Sequence, residues 1–211
     1  MRRSSVSVPL DDHSAPPSIV PLTLRTLGGA GLYVAIESRL LLGPGKPLAL
    51  LIYLALIPGR RISRDFLIDL LWADLEPENA RRALRQALFH LRRLLGEGAL
   101  PGTEELALAI PVVADRDLFL AAIERGELES AVELYTGAFL PTFGVPGGAG
   151  LERWADLERD RLRGAFLRSA ELVVRRQLNL SRVREAQRLA RRARAEAPDS
   201  EAAWSSTRLP V

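Results

Sequence analysis

Alternating apolar and polar positions mark the first ordered pattern of the chain. Residues 22–26 alternate Leu with Thr and Arg, and residues 32–36 alternate again after a run containing three glycines. Side chains of a strand point to opposite faces of a sheet in turn, so this pattern predicts two antiparallel strands joined by a glycine turn. Residues 40–42 predict a third strand, which ends at the Gly-Pro-Gly sequence of residues 43–45.

Three helical patterns follow. The segment PLALLIYLALIPG at residues 47–59 is apolar on nearly every face, which predicts a helix covered on more than one side. The next helix has Ser63 as its N-cap and ends near Trp72. The third begins at the Glu-Pro-Glu sequence of residues 76–78 and stops at Gly96, because proline and acidic residues suit a first turn and glycine suits a C-terminal end.

A small hairpin is predicted after the third helix, with arms at residues 99–100 and 106–109 around a Pro101-Gly102 turn. Strands, three helices and a hairpin are the order of a winged-helix variant of the helix-turn-helix. We therefore expect a winged-helix domain over residues 21–114. The preceding residues 1–20 are rich in Ser, Pro and Asp without periodicity, and we expect them to form a mobile leader.

Only helical patterns occur beyond residue 114. They predict a short helix pair joined at Gly126, then a Gly/Pro-rich loop at residues 143–150, then two longer helical segments. The sequences ELESAVELY and RVREAQRLA place alanine and aliphatic residues alike, as is typical of stacked tetratricopeptide-like repeats. The predicted fold is mainly α with a small β-sheet: a winged helix followed by an all-α helical-repeat domain over residues 115–211.

Composition excludes several functional classes. The chain is 47% hydrophobic and 26% charged, which is typical of a soluble globular protein, and its longest apolar run falls short of the about 20 residues that span a bilayer. Without cysteine, and with only His13 and His90, metal sites are not expected. P-loop, dinucleotide-binding and nucleophile-elbow motifs are missing. We expect a cytoplasmic, nucleoid-associated protein that is not an enzyme, uses no cofactor and binds no membrane.

The net charge of +3 is a weak argument for nucleic acid, so the distribution of charge decides. On the third helix, an apolar stripe lies opposite a face of Arg and Gln, and acidic residues occur only at the ends. A helix fits the major groove, and Arg and Gln pair with guanine and adenine edges. This face predicts a recognition helix, although an ordinary solvated face is the alternative. The predicted base-facing residues are Arg81, Arg82, Arg85, Gln86, Phe89, His90 and Arg93.

Phe89 is unexpected on such a face, because an exposed aromatic ring in a polar surface is unfavourable without a partner. Thymine methyl groups offer one apolar partner in the groove. The alternative is that Phe89 packs under the wing or against a second protomer.

A second basic group precedes the second helix, where a helix N-terminus and positive side chains suit phosphate. A solvated turn is the alternative. The loop at residues 101–105 is acidic, so we expect no strong minor-groove contact from it. The predicted phosphate-contacting residues are Lys46, Arg60, Arg61, Ser63 and Arg64.

Three ordered segments resemble the Streptomyces antibiotic regulatory protein (SARP) family of transcriptional activators. They are GRRISRDFLIDLLWADLEPENARRALRQALFHLRRLLG, ADRDLFLAAIERGELESAVELYTGAFLP and LERWADLERDRLR. The family joins an OmpR-like winged helix to a bacterial transcriptional activation domain of tetratricopeptide character. Family members continue for several helices beyond the segment matching APDSEAAW, so the resemblance implies an activation domain that is truncated here or that receives the missing helices from a partner.

The resemblance implies that the third helix enters the major groove of double-stranded DNA. Protomers would bind repeated half-sites as a homo-oligomer on DNA, and the complex would recruit RNA polymerase. Trp154 and residues 159–162 match the activation-domain signature and are expected to be packing residues. The competing hypothesis is a helical-repeat adaptor or scaffold whose winged helix binds protein.

Overall fold

The fold is given by a computed structural model that describes residues 21–197, apart from residues 58, 142, 146 and 147. The leader expected at residues 1–20 lies outside the described residues. The elements are β1 (Leu22–Arg25), β2 (Gly31–Val34), β3 (Arg39–Leu42), α1 (Lys46–Ala55), β4 (Ile62–Ser63), α2 (Arg64–Leu71), α3 (Pro77–Leu95), a 3-10 turn (Glu97–Ala99), β5 (Glu105–Leu106), β6 (Val112–Ala114), α4 (Asp115–Glu124), α5 (Leu128–Leu134), α6 (Ala149–Asn179) and α7 (Val183–Glu196).

The three strands predicted at the start of the chain form a four-stranded sheet together with β6, in the order β3-β2-β1-β6. β1 pairs antiparallel with β2, with Leu24 opposite Leu32, and both leucines are fully buried. The alternation in the sequence therefore reflects one face of the sheet turned to the core.

The three predicted helices are confirmed. Every residue of α1 from Leu48 to Leu54 is buried, which accounts for its unbroken apolar sequence. Ser63 caps α2 by accepting a hydrogen bond from the backbone N–H of Phe66 at 3.2 Å. α3 ends at Gly96, whose φ of 100° lies in a region that L side chains rarely adopt.

The predicted hairpin after α3 forms only in part: the backbone N–H of Ala109 donates to the Ala99 carbonyl at 2.9 Å, but the strand pairing of this region is with other strands. The first predicted arm, at residues 99–100, begins in the 3-10 turn. β5 pairs antiparallel with β4, with Ser63 opposite Glu105. β6 joins the main sheet, parallel to β1. The predicted arms are short and rich in alanine, so cross-strand packing between them is weak. Pairing with β4 instead places Leu106 in the core, fully buried. The wing is therefore made of β5 and β6, each held by a strand from elsewhere in the chain.

The helical part has the predicted order. α4 and α5 form a pair joined at Gly126, whose φ is 73°, and α6 packs against both α5 and α7. Aromatic rings connect the first three of these helices: Phe119 lies 5.5 Å from Tyr135, which stacks on Phe166 at 4.3 Å between ring centroids. Among the described residues, no helix combines the length and the apolar sequence needed to cross a membrane.

Backbone contacts join the helical part to the first strand. The carboxylate of Asp115, at the start of α4, accepts hydrogen bonds from the backbone N–H groups of Thr26 and Leu27. The backbone N–H of Gly28 donates to the Ala138 carbonyl at 3.0 Å, and that of Leu140 donates to the Thr26 carbonyl at 2.7 Å. One cluster of buried side chains runs from the sheet to α7. The domain boundary at residue 114 stays a prediction, and the contacts across it are extensive.

Candidate nucleic-acid interface

The exposed face of α3 carries all the predicted base-facing residues. The buried side of this helix consists of alanine and leucine only, and the opposite side is exposed along its whole length. At 100° per residue, Arg82 and Arg93 lie within about 40° of Phe89, which marks the centre of the exposed face. The exposed residues are Arg81, Arg82, Arg85, Gln86, Phe89, His90 and Arg93.

The arginines of this face have no acidic partner in the part of the chain that the structure describes. Within the described residues, no ion pair involves Arg81, Arg82, Arg85 or Arg93. On α6, by contrast, three exposed arginines pair with acids three or four residues earlier; the pairs are Arg161 with Glu158 at 3.1 Å, Arg163 with Asp160 at 2.7 Å and Arg175 with Glu171 at 2.7 Å. The guanidinium groups of α3 are therefore available to an external anion.

Arg92 differs from its neighbours on α3. Its guanidinium donates two hydrogen bonds to the Leu100 carbonyl, at 2.7 Å from Nη2 and 3.2 Å from Nε. It fixes the C-terminal end of α3 to the loop that leads to β5. This arginine therefore has a structural role within the winged helix.

Phe89 is 65% exposed. That exposure excludes the alternative in which the ring packs under the wing, and leaves contact with DNA or with a second protomer. The neighbouring Leu88 is 1% exposed and belongs to the core. Of these two adjacent residues of α3, Leu88 therefore packs in the core and Phe89 lies on the surface.

The predicted phosphate-contacting residues differ in their surroundings. Arg60 and Arg61 are exposed on the turn before α2. Ser63 uses its hydroxyl oxygen to cap α2, and its side chain stays at the surface. Arg64 is partly buried, and its Nε is buried with no hydrogen-bond partner among the described residues.

Lys46 is already used within the protein. Its ammonium donates a hydrogen bond to the Leu71 carbonyl, at the C-terminal end of α2, and lies 5.2 Å from the centre of the Trp72 ring. Burial lowers the pKa of Lys46, and the nearby Asp74 opposes that effect. A phosphate contact would have to compete with this interaction, which the sequence did not indicate.

A surface cleft brings the two predicted groups of arginines together. Arg64 of α2 lines a cavity of about 190 Å³ with Arg81 and Arg85 of α3. Two acids border the same cleft, Asp65 of α2 and Glu104 from the acidic loop of the wing. The Glu104 carbonyl accepts a hydrogen bond from the backbone N–H of Arg64 at 3.1 Å. Sequence reasoning missed this arrangement, because only the pairing of β4 with β5 places Glu104 beside α2.

Trp154 and Arg159 on α6 are packing residues, as predicted, and Leu162 is fully buried. The prediction is wrong for Asp160 and Arg161, which are exposed because they lie on the outer side of the helix. The Trp154 ring lies edge-on to Tyr53 of α1 at 5.2 Å and to Phe139 at 5.6 Å. Arg159 donates to the carbonyls of Phe139 and Leu140 at 2.8 and 2.9 Å. Both side chains hold α6 against the rest of the fold.

The elements define a winged helix followed by a helical-repeat part. The chain is similar to the solved structure of EmbR from Mycobacterium tuberculosis in complex with a low affinity phosphopeptide, with a TM-score of 0.54 and 20% sequence identity. The match covers 85% of this chain, which spans 60% of the length of that one. This similarity shows the shared fold. No protein-family model matches the chain, and no curated protein sequence is similar to it.

Proposed function

We propose that this protein is a sequence-specific DNA-binding transcriptional regulator that reads the major groove with α3. The observation that carries the proposal is the exposed face of this helix, on which Arg82, Arg85 and Arg93 have no acidic partner among the described residues and flank Phe89. A basic helix face backed by an apolar stripe is suited to insertion into the major groove of a duplex.

Different residues have different roles in this proposal. Arg82, Arg85 and Gln86 form hydrogen bonds with base edges, and Phe89 contacts thymine methyl groups. Arg60 and Arg61 contact phosphates and set the position of the duplex without reading its sequence. Arg64 also contacts phosphate, from the cleft that it shares with Arg81 and Arg85.

The resemblance to the SARP family extends the proposal to activation. Protomers would bind repeated half-sites, and the helical part, of tetratricopeptide character, would recruit RNA polymerase. The fold shared with EmbR supports a winged helix joined to such a helical part.

Selection of bound fragments from genomic DNA of the source organism tests the proposal. The selected site and a scrambled duplex of equal length are then titrated by fluorescence anisotropy with the parent protein and with an Arg82→Ala/Arg85→Ala/Gln86→Ala variant. We expect the parent to prefer the selected site by about 10³-fold or more, and the variant to lose most of that preference.

A matched control removes three arginines of α6 that already have acidic partners, Arg161, Arg163 and Arg175. This variant should keep the preference of the parent. A parent protein that enriches no sequence, or an α3 variant that discriminates as well as the parent, contradicts the proposal.

The exposure of Phe89 favours one competing function, in which α3 binds a protein partner. Salt dependence separates the two hypotheses. Neutralising several phosphates makes DNA affinity fall steeply with salt concentration, whereas an apolar protein contact changes little.

A further inference from the structure

A second helix repeats the arrangement seen on α3. On α7, the buried stripe consists of Ala186, Leu189 and Ala193, packed towards α6. At 100° per residue, Arg184, Arg188 and Arg191 lie within an arc of about 60° on the opposite side. All three arginines are exposed, and the exposed Arg194 lies beside them.

These four arginines have no ion-pair partner in the part of the chain that the structure describes. Within the described residues, the two acidic residues of α7 form no ion pair with these arginines. Glu185 faces a groove bordered by Glu129, Glu133 and Arg188, and Glu196 accepts a hydrogen bond from the Tyr135 hydroxyl at 3.2 Å. Arg188 thus lies at the edge of an acidic groove, whereas Arg184, Arg191 and Arg194 do not line that groove.

The remaining arginine of α7, Arg192, has a structural role. Arg192 donates a hydrogen bond to the Tyr135 carbonyl and lies 5.2 Å from the centre of the Phe166 ring. It anchors α7 to α5 and α6. Arg184, Arg188 and Arg191 make no comparable contact among the described residues, so packing does not explain their position.

The composition of the arc indicates the chemistry of its partner. Like charges three or four residues apart on a helix repel, so this surface is unfavourable until an anion covers it. Arg184 and Arg191 are separated by about 10 Å along the helix, which is close to the axial rise of three nucleotides at about 3.4 Å each. The arc contains no aromatic ring, unlike the face of α3. Arginines alone suit phosphates, which position a duplex without specifying its sequence.

We infer that the arc of Arg184, Arg188 and Arg191 on α7 binds the phosphate backbone of duplex DNA, outside the half-site contacted by α3. The helical part then contributes to DNA affinity directly. This inference rests on the proposed function for its partner, but it concerns a separate surface and predicts a different effect.

The test compares salt dependence on a non-operator duplex of about 40 base pairs. We expect an Arg184→Gln/Arg188→Gln/Arg191→Gln variant to bind more weakly, and the slope of log affinity against log salt to become less negative by about two to three, since each phosphate contact contributes about 0.9. The ratio of operator to non-operator affinity should stay that of the parent. Circular dichroism checks that both proteins are folded.

Two further variants make the result decisive. An Arg161→Gln/Arg163→Gln/Arg175→Gln variant removes the same charge from α6, where each arginine has an acidic partner, and should keep the parental slope. An Arg184→Lys/Arg188→Lys/Arg191→Lys variant keeps the charge and should retain most of the slope, because Lys binds phosphate as a point charge.

The inference is overturned if the α7 glutamine variant has the parental slope, or if the α6 variant changes it equally. In either case the arc serves another anionic partner, such as an acidic protein surface. The proposed function fails separately, when the parent protein prefers no sequence, and the α7 effect on slope is measurable even then.

Discussion

The Asp115 carboxylate lies 2.6 Å from the Thr26 hydroxyl and 2.8 Å from the Thr26 backbone nitrogen, although the two residues are 89 positions apart. Thr26 is fully buried, at the end of β1. The first residue of α4 therefore supplies the acceptor that the end of the strand lacks, and it connects the winged helix with the helical part.

Replacing Asp115 with Ala should destabilise the whole protein. The substitution leaves a buried hydroxyl and two backbone N–H groups without their acceptor, at a cost of about 3 kcal/mol in the free energy of unfolding. Urea denaturation followed by circular dichroism measures this cost. Glu124→Ala, at the exposed end of the same helix, should change stability by less than about 0.5 kcal/mol. Equal stabilities for the two variants would contradict this role of Asp115.

Arg85 and Arg61 should affect DNA binding in different ways. If Arg85 reads a base, Arg85→Ala weakens binding to the selected operator by about 1–3 kcal/mol and relaxes preference at one position. Arg61→Ala weakens binding to every duplex alike, since a phosphate contact carries no sequence information. Anisotropy titrations on operator, point-mutated operator and scrambled duplex distinguish the two. The assignment fails if both variants bind as the parent does.

Phe89 and its neighbour Leu88 offer a matched pair. Phe89→Ala should leave stability within about 0.5 kcal/mol of the parent, because the ring is 65% exposed, but weaken operator binding by about 1–3 kcal/mol. Leu88→Ala removes a core side chain and should lower the free energy of unfolding by about 2–5 kcal/mol. Operator affinity unchanged in Phe89→Ala would assign the ring to a protein contact instead.

Glu104 should limit DNA affinity. Its position beside the cleft of Arg64, Arg81 and Arg85 brings a negative charge close to the place proposed for phosphate. Glu104→Gln is expected to strengthen binding to all duplexes by about 0.5–1 kcal/mol at low salt. Glu97→Gln, an exposed change after the C-terminal end of α3, provides the control. Weaker binding by the Glu104 variant would show that this cleft receives no phosphate.

Local signals made most of the fold predictable. The helix α3 is specified by its own residues, because Pro77 and Gly96 mark its ends and its leucines and alanines define one buried stripe. Non-local pairing was not predictable. Ser63 pairs with Glu105 across α2 and α3, and no pattern within either two-residue strand identifies that partner.

The same limit applies to the candidate interface. Exposure of the α3 arginines followed from helical periodicity, but the convergence of Arg64 with Arg85 depends on how α2 crosses α3. The position of Lys46 against the end of α2 likewise depends on tertiary packing. The sequence indicates which side chains have suitable chemistry. Which side chains lie next to them depends on contacts between residues that are distant in the sequence.

The hydrogen bonds between β1 and residues 115–140 limit how the molecule can be divided for experiments. A fragment cut after Ala114 would lose Asp115, and with it the acceptor for Thr26 and Leu27, together with the strand-like contacts of Leu140 and Ala138. The smallest piece that contains the winged helix with these contacts intact therefore extends through residue 140 at least.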